Sequence, residues 1–571
     1  MSWSVVCAQE RGTEGMGRHV WQPVQEYFTN ADSGGTRFIG YTHLGTDFGN
    51  VGAADAITAG SGEAIVEVPV GSWAGMWHSL GGLARDKNTS LDFQCCHPAW
   101  IQGRWQAHIV GLKIRARGNG TLKVELKSAA NSTLWTRRFS LRTETFTDFT
   151  AALEPADLRS VKFLNWIAES GTQARIDGVW LEVELPPVDF DEQVFAASYA
   201  KLSRCYSPES GLVRDRAHAG SGVFDSVPAT GMFCLASAVA AQTKLVEKSF
   251  AREVLRRAHS AVAPTASRLG LLPHFLEKTA GGSRIAPGTE FSTVDSAIYL
   301  HSVRLAARIL GDEESGAAIQ RALRRIDFSA LRDAEGFIIH GTLDDGVTRL
   351  GHTWRDWGGE SALVLLLARL AEGDEGVLRM HTDGRVFGGV GFIAELQSLF
   401  FPHFSHDRPD GLTKVNWRLV RTNMFEMQKR YFAEHFPQST AAQIGAFGLS
   451  AGEGAAGIGY AVSGVEMADR TLIHPHYMLM SAALEPDPGE VYRRLWQMED
   501  AGWFTPWGLV ENIDVINDTY LPMNGALNAA FEALGAYHVL VKNRGEQNVI
   551  YTASNDSVDL APALAQRVIA N

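Results

Sequence analysis

The sequence predicts two folded regions, an antiparallel β-sandwich of the jelly-roll kind followed by an (α/α)6 barrel. Alternating apolar and polar residues characterise the first 186 residues, and helical patterns fill the chain after residue 193. A Pro-Pro pair followed by acidic residues separates the two patterns. We therefore assign residues 1–186 to a β-sandwich accessory domain, residues 187–193 to a linker and residues 194–571 to the barrel.

The strand assignments rest on period-two alternation. Residues 112–117 and 121–127 both alternate, and Gly118-Asn-Gly between them indicates a hairpin turn. Residues 175–185 close the region with another strand pattern. Because the linker is short, we expect the two regions to pack against each other.

Helical patterns recur at twelve places, separated by loops rich in Gly, Pro and Asp. They lie near residues 194–204, 226–243, 246–263, 293–310, 313–326, 358–371, 390–400, 413–434, 438–447, 474–484, 488–500 and 523–541. No repeat of about 20–50 residues is present, which argues against a regular solenoid. A dozen helices in one region favour six inner helices ringed by six outer ones; an irregular helical bundle is the alternative.

The amino-acid composition excludes several classes of function. With 64 acidic and 52 basic residues the formal net charge is −12, which disfavours non-specific binding to nucleic acid and attraction to anionic membranes. The 15 Trp residues suit stacking on sugar rings, although core packing also uses Trp. The five cysteines form no CxxC pair, so neither a disulfide framework nor a thiolate zinc site is expected. No signal peptide is visible, which predicts a cytoplasmic protein, or a periplasmic or secreted one whose signal was removed.

Two polar clusters precede predicted helices. The first, residues 207–216, contains Arg214, Asp215 and Arg216, which form either a surface turn with local ion pairs or a substrate-binding loop. The second, residues 288–299, contains Glu290 and Asp295. Asp295 falls in the first turn of a helix that Ser292 or Thr293 caps, so capping and a role in a cleft are both open.

The third cluster, residues 351–361, places His352, Trp354, Trp357 and Glu360 just before an apolar helix. An acid at this position is favoured by the helix dipole, and it also suits a general acid beside an apolar wall. Desolvation raises the pKa of Glu360, whereas the helix N-terminus and Arg355 lower it. We therefore predict a pKa somewhat above the reference of about 4.3 but not near neutrality.

The fourth cluster, residues 400–411, contains His403, His406 and Asp410. Its spacing matches no zinc motif, so hydrogen bonds to a sugar are favoured over a metal site. Two further loops carry Glu453 and the group Trp503, Trp507 and Glu511, for which ordinary turn chemistry with Trp in the core is the alternative. No P-loop, dinucleotide fingerprint or nucleophile elbow is present.

Taken in order, these clusters resemble the glucoamylase-like bacterial hydrolases, whose best-described members are the endo-β-1,2-glucanases of glycoside hydrolase family 144. The resemblance covers about residues 195–541. It is carried by residues 211–216, 224–236, 290–297, 357–363, 404–410, 448–454 and 506–512. Glu453 and Glu511 stand where the family has Asp.

The resemblance implies an (α/α)6 barrel and an inverting glycoside hydrolase that acts on a β-glucan, with β-1,2-glucan as the first guess. Glu360 would be the acid, the base would be Asp410, Asp295 or Glu290, and no metal or other cofactor is needed. The other polar and aromatic residues of the clusters would bind the sugar: Arg214, Asp215, Arg216, His352, Trp354, Trp357, His403, His406, Glu453, Trp503, Trp507 and Glu511. A polysaccharide lyase and a non-catalytic carbohydrate-binding protein are the alternatives, and the sequence leaves homo-oligomer formation open.

Overall fold

The computed structural model describes residues 18–30, 35–38, 48–60, 63–81, 90–216, 224–279, 282–372, 384–454, 459–467, 470–523 and 525–554. Ten antiparallel strands occupy the N-terminal part: β1 (His19–Asn30), β2 (Gly35–Phe38), β3 (Phe48–Gly52), β4 (Ile57–Gly60), β5 (Glu63–Glu67), β6 (Ala74–Ser79), β7 (His108–Lys127), β8 (Thr133–Ala152), β9 (Phe163–Ala168) and β10 (Gln173–Glu184). Their order is β2-β1-β10-β7-β9-β6-β3, β8 pairs with β7, and β5 pairs with both β10 and β4.

These ten strands are joined by pairing into one continuous sheet. A single apolar core contains side chains from strands that are far apart in the sheet, such as Val24 of β1, Val66 of β5 and Met76 of β6. The sheet therefore curls so that its strands face one another across the core. Irregular register in β1, β7 and β10 supplies the local bends that such curling needs.

The predicted hairpin at residues 112–127 is wrong. β7 runs unbroken through Gly118 and Gly120, which have φ values of 127° and 130°. At this point β7 exchanges one neighbour, β10, for another, β9. A Cβ on Gly118 would lie 2.2 Å from the carbonyl oxygen of Gln173, so glycine here permits a close approach between strands and does not form a turn.

Thirteen α-helices follow in the described residues: α1 (Phe190–Cys205), α2 (Val227–Gln242), α3 (Lys248–Val262), α4 (Thr293–Leu310), α5 (Glu313–Leu323), α6 (Gly358–Glu372), α7 (Gly391–Glu395), α8 (Trp417–His435), α9 (Thr440–Ile444), α10 (His476–Met480), α11 (Pro488–Asp500), α12 (Ala526–Arg544) and α13 (Val549–Ser554). Each of the twelve predicted helices has a counterpart here. Among the described helices, none is both long and apolar enough to cross a membrane.

The first helix begins at Phe190, inside the predicted linker. Asp191 and Glu192 stand in its first turn, where the helix dipole favours acids, and both pair with Arg544 at 3.3 and 2.8 Å. The acidic residues that suggested a linker are therefore the start of a helix.

Short antiparallel strand pairs occupy the loops between helices. They are Tyr206–Ser207, Leu212–Val213, Asp225–Ser226, Phe275–Thr279, Gly282–Ile285, Phe291–Ser292, Gly341–Thr342, Ala451–Glu453, Tyr460–Val462, Leu472–Ile473, Phe504–Thr505, Gly508–Leu509, Asn512–Asp514 and Thr519–Leu521.

Six helical segments form a closed inner ring. In order around the ring they are α2, α4, α6, α7 with the 3-10 turn Leu396–Leu399, α10 and α12, each packing on the next and α12 returning to α2. Helices α1, α3, α5 and α8 lie outside this ring and contact it, and α11 packs on α9. The apolar character on nearly all sides of α2 fits its inner position, because an inner helix is covered on every face.

The N-termini of the inner helices meet at one end of the ring. The backbone carbonyl of Asp215 accepts from the Ala526 N–H of α12, and Thr293 at the start of α4 donates to the backbone carbonyl of His340, on the loop that leads to α6. Gly391 at the start of α7 donates to Leu449, whose neighbouring carbonyl on Gly448 accepts from His474 next to α10. Loops between helices therefore assemble a site at this end.

The β-region and the helical region each place one Trp side chain in the core of the other. Trp105 of the β-region is fully buried in the helical core and donates to the Lys244 carbonyl at 3.3 Å. Trp507 of the helical region is fully buried in the β-core and donates to the Cys96 carbonyl at 3.3 Å. His97 adds a hydrogen bond to the Pro506 carbonyl at 2.9 Å. Each core is therefore completed by the other region.

Replacing Trp507 by Ala removes the largest side chain that the helical region contributes to the β-core. We expect a loss of about 3–5 kcal/mol in the free energy of unfolding, and faster release of an N-terminal fragment in limited proteolysis. Trp21→Ala, at an exposed indole of β1, is the control and should cost about 1 kcal/mol or less. Equal stability of Trp507→Ala and wild type would contradict the interlocked packing.

Candidate active site

Carboxylates from several loops converge where the inner helices begin. Arg216 Nε lies 2.9 Å from Glu453 Oε1 and 3.8 Å from Asp215 Oδ2. Arg216 also forms a β-bridge with Gly525, just before α12. We call the set Asp215, Arg216, His274, Glu290, Asp295, Glu360, Glu453 and Glu511 the acid cluster. Its members come from regions of the chain that are far apart in sequence, so only the ring brings them together.

Glu511 is buried and held by three N–H donors. Asn528 Nδ2 of α12 donates to its Oε1 at 2.6 Å, and the backbone N–H groups of Glu453 and Gly525 donate at 3.3 Å each. Glu453 is buried beside it, and desolvation raises its pKa to about 7 although Arg216 opposes this. The two glutamates therefore form a closely packed acid pair with one arginine.

His274 binds the next pair of acids. Its Nδ1 lies 3.0 Å from Glu290 Oε1 and 3.7 Å from Asp295 Oδ2. Burial alone would lower the pKa of His274, but Asp295, Glu290 and Asp215 raise it to about 9. The hydrogen bond from His274 lowers the pKa of Glu290, while burial raises that of Asp295. At neutral pH an imidazolium therefore sits between these carboxylates.

The same three side chains have ligand atoms within 4.8 Å of one another, a spacing suited to a cation. The Nδ1 proton of His274 already occupies the position between the two acids and supplies their positive charge. The expectation of catalysis without a metal is therefore compatible with this geometry. The capping interpretation of this segment also holds, because Ser292 Oγ accepts from the Asp295 N–H at 3.2 Å.

Glu360 differs from the other acids of the cluster because neither a cation nor a hydrogen-bond donor among the described residues lies against its carboxylate. It is 8% exposed in the first turn of α6. Desolvation, followed by repulsion from Asp295, raises its pKa to about 8. The predicted value below neutrality is therefore wrong.

The reason for that error lies in the position of Arg355. Its guanidinium pairs with Glu335 at 2.8 Å and Asp333 at 3.3 Å, and it covers the ring of Phe337. It does not reach Glu360, so the lowering effect expected from the sequence is missing. Gly359, the residue before Glu360, lies against another helical segment, because a Cβ there would be 1.8 Å from Gln397 Oε1. Its small size serves helix packing.

Asp410, predicted as a candidate base, lies at the opposite end of the ring. Its Oδ2 accepts from the N–H and Oγ1 of Thr413 at 2.6 and 2.7 Å, in the turn that precedes α8. Burial, with smaller effects of the charges of His406 and Arg369, lowers the pKa of its neighbour His403. Arg369 lies nine residues after Glu360 on α6, which is about 14 Å along the helix axis. Asp410 and His403 therefore cannot share a substrate bond with Glu360. His406 is an exposed residue of the same loop.

Three of the four predicted stacking Trp residues are buried in the cores. Trp354 donates to Thr293 Oγ1 at 2.7 Å and stacks on His340, Trp503 lies in the helical core, and Trp507 lies in the β-core. Only Trp357 is partly exposed, stacked on the exposed Phe387 with ring centroids 4.2 Å apart. The sequence could not distinguish the buried Trp residues from the accessible one, because Gly-rich loops surround both kinds.

The remaining predicted residues have mixed positions. His352 is exposed near His340, with ring centroids 5.8 Å apart. Arg214 is buried and faces a cavity between the two regions instead of the acid cluster. Sequence reasoning missed His274 and Tyr460. Tyr460 is 57% exposed and pairs in a short ladder with Glu453, which no periodicity in the sequence revealed.

Comparison with solved structures defines the class of this fold. A β-1,2-glucanase from Parabacteroides distasonis aligns over 92% of this chain and 98% of its own, with 10% identity and a TM-score of 0.55. An endo-β-1,2-glucanase from Chitinophaga pinensis, solved with sophorotriose and glucose, aligns over 64% of this chain and 97% of its own, with 14% identity and a TM-score of 0.51. A candidate glucoamylase from Bacteroides uniformis aligns over 64% of this chain and 96% of its own, with 14% identity and a TM-score of 0.51.

The chain therefore has the glucoamylase-like (α/α)6 fold, as the resemblance of its motifs predicted. The Parabacteroides protein matches both the β-region and the helical region, whereas the other two structures match about two thirds of the chain. No family sequence model and no curated protein sequence matches the chain.

The pKa of Glu360 predicts a pH-dependent stability difference. Between about pH 4.5, where an ordinary glutamate titrates, and about pH 8, the folded state holds a proton that the unfolded chain has released. The unfolding free energy of wild type therefore falls with rising pH through this residue, by up to about 1.4 kcal/mol per pH unit. Glu360→Gln cannot ionise and should become progressively more stable than wild type from pH 5 to pH 8.

Chemical denaturation at several pH values measures this difference. Glu154→Gln, at an exposed carboxyl of the β-region, is the matched control and should follow the wild-type pH dependence. A constant difference between Glu360→Gln and wild type across this range would show that Glu360 is not held protonated.

Proposed function

We propose that this protein is a glycoside hydrolase that cleaves a β-glucan, with β-1,2-glucan as the first substrate to test. One observation carries the proposal: a buried glutamate with a pKa of about 8 faces a group of carboxylates that have their own cationic and N–H partners. Hydrolysis of a glycosidic bond needs one acid that keeps its proton and one carboxylate that accepts one. The fold shared with β-1,2-glucanases supports the choice of substrate.

Glu360 is the proposed general acid. At neutral pH it is protonated, so it can deliver a proton to the leaving oxygen as the bond breaks. After the transfer Glu360 is ionised in a buried position while the base holds a proton taken from water, and the desolvation of the Glu360 charge favours its regaining a proton before the next cycle.

The proposed base is Asp295, with Glu290 as the second candidate. Asp295 is the carboxylate whose charge acts on Glu360, and the His274 imidazolium stabilises its ionised form. An inverting mechanism requires a water between base and sugar, and a separation of about 6.5–9.5 Å between the two catalytic carboxyls. Arg216 and the exposed ring of Tyr460 supply hydrogen bonds and a stacking face for neighbouring sugar units.

The direct test is a reducing-sugar assay against a panel of β-linked and α-linked glucans, with the product anomer followed by NMR. We expect cleavage of β-1,2-glucan with inversion. An unsaturated product that absorbs in the ultraviolet would instead identify a polysaccharide lyase. Saturable binding of a glucan without any new reducing ends would identify a carbohydrate-binding protein.

Two substitutions test the catalytic assignment. Glu360→Gln and Asp295→Asn should each lower turnover of the glucan by about 10²–10⁴-fold, because each removes a proton donor or acceptor. The loss in Glu360→Gln should be much smaller on an aryl glycoside, whose leaving group needs no proton, if the enzyme accepts one. Wild-type activity should decline above about pH 8, where Glu360 loses its proton.

Asp410→Asn is the matched control, because Asp410 lies at the other end of the ring and an amide oxygen still accepts from Thr413. It should keep turnover within a few-fold of wild type. Loss of activity in Asp410→Asn together with full activity in Asp295→Asn would reverse our assignment of the base.

Substitutions of Trp354 and Trp357 distinguish an effect on glucan binding from an effect on stability. Trp357→Ala should weaken glucan binding, by about 1–3 kcal/mol as for other stacking contacts, and shift the melting temperature little. Trp354→Ala should lower the melting temperature strongly, because its indole is buried and hydrogen-bonded to Thr293. Isothermal titration with a β-1,2-glucan oligosaccharide and thermal unfolding of both variants measure the two effects. The reverse pattern would place Trp357 in the core.

A further inference from the structure

Tyr460 belongs to a short hairpin beside the acid cluster. The strands Ala451–Glu453 and Tyr460–Val462 pair in antiparallel fashion, and Tyr460 lies directly opposite Glu453. Opposed side chains in such a ladder lie on the same face of it, with Cβ atoms about 4.5–5.5 Å apart. Because Glu453 contacts Arg216 at 2.9 Å, the ladder places Tyr460 against the acid cluster.

The side chain of Tyr460 is accessible to a ligand. It is 57% exposed, although Glu453 opposite it is buried. No residue in the described part of the chain forms a hydrogen bond with its hydroxyl. The nearby residues 455–458, which the structure does not describe, are Ala, Gly and Ile, whose side chains have no hydrogen-bonding group. The ring and the hydroxyl are therefore both available to a bound molecule.

The hydroxyl of Tyr460 is within reach of both groups of the acid cluster. The charges of Asp215 and Glu511 act on it from the side of the arginine, and those of Glu360 and Asp295 act on it from the side of the imidazolium. Burial inside the cleft, followed by these charges, raises the pKa of the hydroxyl. The phenol therefore keeps its proton at every pH at which Glu360 is protonated, and it remains a hydrogen-bond donor.

This hydroxyl shares the space in which the proposed reaction takes place. In an inverting mechanism the acid and the base lie on opposite sides of the cleaved bond, about 6.5–9.5 Å apart. Both Glu360 and Asp295 act on the Tyr460 hydroxyl, so a sugar unit between them lies close to it. A tyrosine suits such a contact, because its ring covers the apolar face of a sugar and its O–H donates to a sugar oxygen.

We infer, on the basis of the proposed hydrolase activity, that the Tyr460 hydroxyl donates a hydrogen bond to the sugar unit at the cleaved bond and so fixes its position between Glu360 and Asp295. No proton is transferred through Tyr460 in this role. The phenol adds a neutral donor to a site that otherwise consists of carboxylates and two cations. Loss of the hydroxyl therefore changes the placement of the sugar and leaves the charges of the site as they are.

Binding of a β-1,2-glucan oligosaccharide tests this contact without any need for cleavage. Isothermal titration compares the slow variant Glu360→Gln with the double variant Glu360→Gln/Tyr460→Phe. The double variant keeps the ring and loses the hydroxyl, so we expect about two- to tenfold weaker binding. Equal binding by these two variants overturns the inference, and so does the absence of any binding by Glu360→Gln.

Tyr431→Phe in the same Glu360→Gln background is the matched control. Tyr431 lies on α8, outside the inner ring, and its hydroxyl donates to the Arg470 carbonyl at 3.4 Å. The control variant loses the same group as Tyr460→Phe, but far from the acid cluster. It should bind the oligosaccharide as Glu360→Gln does.

The steady-state kinetics of the single variant Tyr460→Phe distinguish positioning from simple binding. A hydroxyl that orients the reacting sugar unit matters most at the transition state, so we expect kcat to fall by about tenfold. The alkaline limit of activity should stay at the wild-type pH, because no charge near Glu360 changes. The melting temperature should match that of wild type, because the side chain is exposed. A rise in KM with unchanged kcat would overturn the positioning role.

These experiments distinguish a failure of this inference from a failure of the proposed function. Cleavage of the glucan by wild type, together with unchanged binding and kcat after Tyr460→Phe, would refute the role of Tyr460 and leave the hydrolase activity standing. Absence of new reducing ends with wild type, together with weaker binding by the double variant, would refute hydrolysis and retain the hydrogen bond from Tyr460 to the sugar.

Discussion

The shared direction of the inner helices is the constraint on which the site depends. Because their N-termini meet at one end of the ring, the loops that precede α2, α4, α6 and α12 must meet there too. These loops carry the carboxylates, and burying carboxylate charge is costly unless cations or N–H groups compensate it. Arg216, His274, Asn528 and backbone N–H groups provide that compensation for most of them.

Glu360 is the exception, because no cation or N–H group among the described residues compensates its charge. Its pKa therefore differs from those of the other acids at the site. The same loop that could have supplied a guanidinium directs Arg355 outward to Asp333 and Glu335 instead. Two carboxyls at the same end of the ring thus meet opposite conditions: Glu290 pairs with a cation, whereas Glu360 is buried beside a like charge. Such a separation of pKa values is what acid and base roles at one pH require.

The β-region is joined to the ring by shared burial as well as by the chain connection. Trp105 and Trp507 each lie in the core of the other region, so neither core is complete alone. The contact between the regions is therefore a source of stability for both of them.

The sequence by itself determined the helices and the position of Glu360. Helical periodicity and capping are local properties, so all twelve predicted helices are present and Ser292 caps α4 as expected. Only the tertiary structure decided how distant segments meet. Gly118 and Gly120 suit a turn or a bulge equally well, and the partner strands select the bulge. Asp410 sits in a loop as polar as that of Asp295, but the helix direction places the two acids at opposite ends of the ring. The pKa of a side chain and the exposure of a ring depend on the residues that surround them in space. For His274, Tyr460 and Arg355 these residues are distant in sequence or follow no repeating pattern, so the sequence did not reveal them.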